Sequence, residues 1–133
     1  MFGNLMQDKD KVYKMNAIVL AFVGDAVYSL YVRQKLSLQG DYKAGVLSNL
    51  ATDYVRASAQ ADKVDKLIPL LTEEELALFK RARNTHKGAK AKSASIGQYN
   101  KSTGFEAVLG YLYLSGQMER LNQLLNYGEA IES

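Results

Sequence analysis

Residues 16–32, NAIVLAFVGDAVYSLYV, form a long apolar run with one acid, Asp25, near its middle. Read as a helix, the run places Asp25 one heptad after Ile18 and within a turn of Ala21 and Phe22, on an apolar stripe. A carboxylate on such a stripe loses hydration, which is unfavourable unless a cation, a metal or good hydrogen bonds compensate. Gly24, its neighbour, weakens a helix by about 1 kcal/mol relative to alanine. Two breaches of local rules fall in one otherwise good helix, and such breaches cluster at functional sites. A structural acid held by an arginine, or one that reaches solvent at a helix crossing, carries the same signature.

The apolar surface of this helix is too broad for one partner. Phe22, Val23, Ala26, Val27, Leu30 and Tyr31 cover more than half its circumference. The helix is therefore central in a bundle or shared between a core and a subunit interface, which makes a homodimer the expectation. Asp8 is read as its cap, and the helix as running to about Leu38 with Gly40 as its stop. A membrane-spanning reading is set aside. The 18 residues from Met15 to Val32 carry one charge, but Asn16, Gly24, Asp25 and Ser29 interrupt them, and an acid near a bilayer centre costs roughly 2.5–3.5 kcal/mol. The N-terminus lacks the order of a secretory signal, so a cytoplasmic protein is expected.

A chain of 133 residues fits one domain. The absence of cysteine excludes disulfides and thiolate metal sites, and a single histidine excludes a histidine-rich zinc site. Any metal must be held by carboxylates, which favours magnesium or manganese. One proline and few β-branched runs point to an all-α fold. Further helices are read at about Ala44–Tyr54, at Ala57–Ile68 ending on Pro69, and from a Thr72 cap followed by Glu73, Glu74 and Glu75 to about Asn84.

Residues 85–101, THKGAKAKSASIGQYNK, break the pattern and read as an exposed, mobile loop. From Lys80 to Lys101 there are seven basic residues and no acid, whereas outside this segment ten basic residues stand against fourteen acids. Such a localised cationic patch is the footprint of a phosphate backbone, although a loop kept soluble by lysines is common. After it, Ser102 is read as the cap of STGFEAVLGYLYL, and a last helix follows Gly116. Glu106 repeats the oddity of Asp25: a lone acid among Phe105, Ala107, Val108 and Leu109, with Gly110 one turn on. A glycine beside each acid would let two helices cross closely and bring the carboxylates together, where a cation would hold them. Two acids, two glycines and a basic loop make one hypothesis: metal-assisted cleavage of a nucleic acid.

At this point FVGDAVYSLYVR (Phe22 to Arg33) resembles the signature helix of the ribonuclease III family, and STGFEAVLGYLYL (Ser102 to Leu114) resembles its second catalytic helix. The similarity extends to RARN (Arg81 to Asn84), the basic loop and the TEEE start, and covers nearly the whole chain. It is greatest to the Mini-ribonuclease III branch, which consists of the nuclease domain without a double-stranded-RNA-binding domain. The resemblance implies an all-α homodimer that cuts double-stranded RNA in a basic valley, with Mg²⁺ (or Mn²⁺) held by Asp25 and Glu106 as the catalytic residues. It implies 5′-phosphate products, a role in maturing the ends of 23S ribosomal RNA precursor, and a ribosomal protein as a possible helper.

The sequence departs from the longer family members at three positions where they carry further acids; here these are Ile18, Ala21 and Thr103. Only 17 residues follow Gly116, which leaves substrate grip to the dimer valley and the loop. Arg81, Arg83, Lys87, Lys90, Lys92 and Lys101 are the candidate phosphate contacts, whose loss of affinity with salt would be steep. Asn84, His86, Tyr99 and Ser102 are candidates for sugar or phosphate contact, His86 being equally a plain loop residue. Phe22, Val27 and Tyr31 are core or dimer-interface candidates, and Tyr28, Tyr111 and Tyr113 core or interface aromatics. A catalytically silent relative that only binds structured RNA is the competing reading, favoured by the sparse acids. A helical DNA-binding regulator fits less well, because the basic residues lie mainly in a loop.

Overall fold

The computed structural model describes residues 7–55, 57–85 and 96–132, and all regular structure among them is helical. The order is α1 (Lys9–Tyr13), α2 (Ala17–Gln39), α3 (Ala44–Val55), α4 (Ala57–Leu67), a 3₁₀ turn (Ile68–Leu70), α5 (Glu73–Arg83), α6 (Ile96–Leu114) and α7 (Met118–Glu132). The all-α expectation holds.

Asp8 caps α1, accepting from the Lys11 N–H, but the helix stops after five residues. The expected continuous helix from Asp8 is therefore two helices. Asn16 opens the second, its Oδ1 accepting from the Ile18 N–H at 2.8 Å. Asn16 is a strong N-cap residue that the apolar run around it disguises. The helix ends at Gln39 with Gly40 as its cap, in extended backbone that requires no glycine.

The centre of the bundle is α6, not α2. Helix α6 packs on α2, α4, α5, α7 and α1, and from Ser102 to Leu112 every residue except Glu106 is buried. A helix that is apolar all round belongs in the interior. Its start corrects the sequence reading. Residues 96–101 are already helical, so Ser102 lies inside the helix and does not cap it. Its hydroxyl has a tertiary partner, described below, and packing overrides its preference for a helix end. Gly116, at φ 73°, ends the segment as expected: it and Gln117 donate back to the Tyr113 and Leu112 carbonyls.

The crossing of α2 and α6 is closer than two ordinary helices allow. A Cβ at Gly24 would lie 1.6 Å from the Glu106 carbonyl oxygen, and one at Gly110 would lie 2.0 Å from the Leu20 carbonyl oxygen. The two backbones thus touch with no side chain between them. Along α2, Leu20, Ala21, Gly24, Tyr28, Val32 and Leu36 are buried at helical spacing. A second stripe on the same helix, Val19, Phe22 and Leu30, is exposed, Phe22 at 80% and Leu30 at 62%. Val27 and Tyr31 pack partly buried against the core. Helix α2 is long and apolar enough to cross a membrane by composition, but its buried stripe packs on α6, α3 and α5.

The Thr72 capping box forms as read: Thr72 Oγ1 accepts from the Glu75 N–H and Glu75 Oε1 from the Thr72 N–H. Unforeseen is Arg120 of α7, which donates to both Glu75 oxygens at 2.7 and 2.8 Å and to the Leu70 carbonyl at 2.9 Å. Burial pushes the Glu75 carboxyl up, yet the hydrogen bonds from Arg120 and Thr72 outweigh it and hold the group below its ordinary 4.5. A depressed carboxyl contributes stability that is present above the ordinary value and lost as pH falls through the folded one. Arg120→Met is expected to strand Glu75 and cost about 3 kcal/mol. Urea denaturation at neutral pH checks it, and the loss should shrink in acid as Glu75 protonates.

Candidate active site

The helix crossing fixes where the two lone acids go. Gly24 lies against the Glu106 backbone, so the residue after it, Asp25, is brought to the same end of the crossing as the Glu106 side chain. Both line one open pocket of about 350 Å³, together with Ile18, Ala21, Phe22, Val55, Gln60, Tyr99, Ser102 and Thr103. Asp25 is exposed at this pocket, which corrects the expectation of a desolvated acid on an apolar stripe. The stripe turns to solvent here because the glycine beside it, not the acid, makes the interhelical contact. Glu106 is half-buried.

Glu106 is held from the side by α4. Gln60, 1% exposed, donates from Nε2 to Glu106 Oε2 at 3.4 Å and to the Val55 carbonyl at 2.6 Å. Its Oε1 accepts from the Ser102 hydroxyl at 3.0 Å. Ser102 stands one turn before Glu106 on α6, so the three side chains are linked in one hydrogen-bonded chain. Thr103 is occupied by its own helix, its hydroxyl donating to the Tyr99 carbonyl at 3.0 Å.

The donor set fits a hard divalent cation that keeps most of its water. Two carboxylates face a roomy pocket, and no group of three or more histidine, cysteine or acidic residues forms among the described residues. Magnesium takes oxygen ligands and dehydrates reluctantly, so two protein carboxylates with water suffice.

A family model of the ribonuclease III domain matches residues 18–117, three quarters of the chain and both acids. The chain belongs to the ribonuclease III family. It is 44% identical over 117 residues to the Mini-ribonuclease 3 of Thermoanaerobacter sp. (strain X514), covering 88% of this chain and 82% of that one. It is 47% identical over 115 residues to the Mini-ribonuclease 3 of Streptococcus pneumoniae, covering 85% and 90%. A crystal structure of a Fusobacterium nucleatum protein superposes with a TM-score of 0.79 at 30% identity, over 90% of this chain and 96% of that one. Membership makes this chain an endoribonuclease. Ile18, Ala21 and Thr103, the three positions at which the sequence departs from the acids expected of longer family members, all line the pocket.

The remaining predicted residues divide. Tyr99 and Ser102 line the pocket with Asp25, Glu106 and Phe22. Ser102 is buried with its hydroxyl committed to Gln60, where direct RNA contact was expected. Arg81, expected on phosphate, is used at α1: its Nη2 donates to the Tyr13 and Met15 carbonyls at 2.7 and 3.3 Å, with the guanidinium over the Tyr13 ring. Arg83 lies over the Phe79 ring and donates to Asn84 Oδ1 at 3.1 Å. Lys101 pairs with Asp65 of α4 at 2.8 Å, and both ends are solvent-accessible enough to exchange that partner for another anion. His86, Lys87, Lys90 and Lys92 lie outside the described residues. Gln60 was missed altogether. It sits between two alanines in the largely polar helix ASAQADKVDKL, and only the packing of α4 on α6 turns it inward.

Proposed function

We propose that this chain is a Mg²⁺-dependent endoribonuclease that cuts double-stranded RNA as a homodimer, maturing the ends of 23S ribosomal RNA precursor in the cytoplasm. The observation that carries the proposal is the convergence of Asp25 and Glu106 on one open pocket at a glycine-lined helix crossing. Asp25 and Glu106 would hold Mg²⁺, or Mn²⁺ in its place. When bound, such an ion supplies the polarised phosphate and activated water that hydrolysis needs. The P–O3′ bond then breaks, leaving a 5′-phosphate and a 3′-hydroxyl. Asp25, at the exposed side, is the carboxylate that a duplex backbone reaches first. Gln60 and Ser102 keep Glu106 in place beside it. Lys101, Arg83 and Asn84, with Lys87, Lys90 and Lys92, are the candidates for backbone contact. A ribosomal protein helper remains compatible with this reading.

The exposed stripe of α2, Val19, Phe22 and Leu30, supports the homodimer, because Phe22 also lines the pocket. A second copy seated there would place two pockets along one duplex. Leu30→Asp is expected to convert the dimer to monomer, read by sedimentation velocity, and to lower cleavage at least tenfold by splitting the paired sites.

The direct test is cleavage of a long RNA duplex with and without Mg²⁺. Metal-dependent cutting to fragments with 5′-phosphates supports the proposal. Tight duplex binding with no cutting in Mg²⁺ or Mn²⁺ would establish instead a silent RNA-binding relative. That outcome is disfavoured, since a silent binder has no use for two converging carboxylates.

A further inference from the structure

We infer that Gln60 is the positioning residue of the metal site: it holds the Glu106 carboxylate in the orientation that accepts the cation. The inference rests on the metal-binding reading of Asp25 and Glu106. Its basis is the way the amide is built in. Gln60 is the most deeply buried polar side chain lining the pocket, and burying an amide is unfavourable unless its groups are paired. All its polar contacts point one way. Nε2 serves two acceptors, the Val55 carbonyl at 2.6 Å and Glu106 Oε2 at 3.4 Å, and Oε1 receives the Ser102 hydroxyl at 3.0 Å. Turning the amide over would set its oxygen against a carbonyl and a carboxylate, so the donor must face Glu106.

The short bond to Val55 and the Ser102 hydroxyl anchor the amide. The longer bond to Glu106 is the one with slack. A hydrogen bond of 3.4 Å is weak in the resting site and can tighten when the carboxylate takes up a ligand. By engaging Oε2, Gln60 sets the orientation in which the Glu106 carboxylate would meet a cation. Ser102 acts one step further back, by anchoring the amide oxygen. Supporting groups of this kind typically account for about tenfold to 100-fold in metal affinity or activity. The length of the Glu106 contact puts Gln60 at the lower end.

The test uses the full chain and Mn²⁺ as probe, titrated by the electron paramagnetic resonance of the free ion without RNA. Gln60→Met keeps the volume and removes donor and acceptor. It is expected to weaken Mn²⁺ binding about tenfold and to raise the Mg²⁺ needed for half-maximal duplex cleavage to match, with KM for RNA unchanged at saturating metal. Val64→Ala, a core truncation one turn along α4, is the control: it lowers Tm and leaves Mn²⁺ affinity as it was. Wild-type affinity in Gln60→Met, or an equal loss in Val64→Ala, overturns the inference. If Gln60→Met shows no cooperative melt, Ser102→Ala replaces it. There the amide oxygen loses its anchor, and a loss of severalfold supports the proposal while an unchanged affinity overturns it. Failure of the underlying reading looks different: wild type itself would show no Mn²⁺ binding that Asp25→Asn abolishes.

Discussion

Gly24→Ala is expected to be the most destabilising single-methyl addition in this protein, lowering stability by at least about 3 kcal/mol. The added Cβ would fall 1.6 Å from the Glu106 carbonyl oxygen and 2.5 Å from its carbon, with the Gly110 nitrogen at 2.9 Å. All three atoms are backbone, so no side chain can swing aside. The helices must part by more than 1 Å in the middle of the largest buried interface, opening voids beside Leu20, Tyr28 and Leu109. The gain in helix propensity from losing a glycine, about 1 kcal/mol, is too small to offset this. Gly110→Ala attacks the same contact from the other helix and should behave alike. Gly45→Ala is the matched control, since nothing lies within 4 Å of its Cβ position. Relief of backbone entropy is expected to leave that variant neutral or up to about 1 kcal/mol more stable. Urea midpoints of the three variants decide it. A Gly24→Ala midpoint near wild type would mean that the two helices do not cross at this point.

Asp25→Asn is expected to lower duplex cleavage by about 10³-fold or more at saturating Mg²⁺, equivalent to ~4 kcal/mol of transition-state stabilisation. The change is nearly isosteric and removes the charge that would face the metal. Stability should move by no more than about 0.5 kcal/mol, because Asp25 is exposed and packs against nothing it must leave. Duplex affinity should persist within a few-fold, since the proposed backbone contacts are basic residues other than Asp25. This combination of intact fold, intact binding and lost cutting separates a catalytic carboxylate from a structural one. Cleavage within tenfold of wild type would remove Asp25 from the site. Glu106→Gln is expected to lose activity similarly but with some loss of stability, because it also disturbs the buried Gln60–Ser102 set.

The sequence alone determined what depends on short-range pattern and composition. Helical periodicity, the Thr72–Glu75 capping box, the turn at Gly116 and the pairing of each lone acid with a nearby glycine all follow from spacings of a few residues. The lack of cysteine and the single histidine restrict metal ligation largely to carboxylates before any fold is known. Tertiary structure decided the rest. Asp25 looked buried because an apolar run surrounds it, but only the placement of α6 on Gly24 determines which side of α2 faces water. Ser102 looked like a cap because its residue type prefers helix ends; a buried amide from another helix gives its hydroxyl a partner in mid-helix. Arg81 looked like part of a cationic patch, yet the end of α1 and the turn after it supply two carbonyls at hydrogen-bonding distance. Gln60 and Arg120 gave no signal, because the worth of a lone polar side chain rests on partners 45 or 46 residues away. Local chemistry is written in neighbouring residues. Solvent exposure and pairing arise only when distant helices meet.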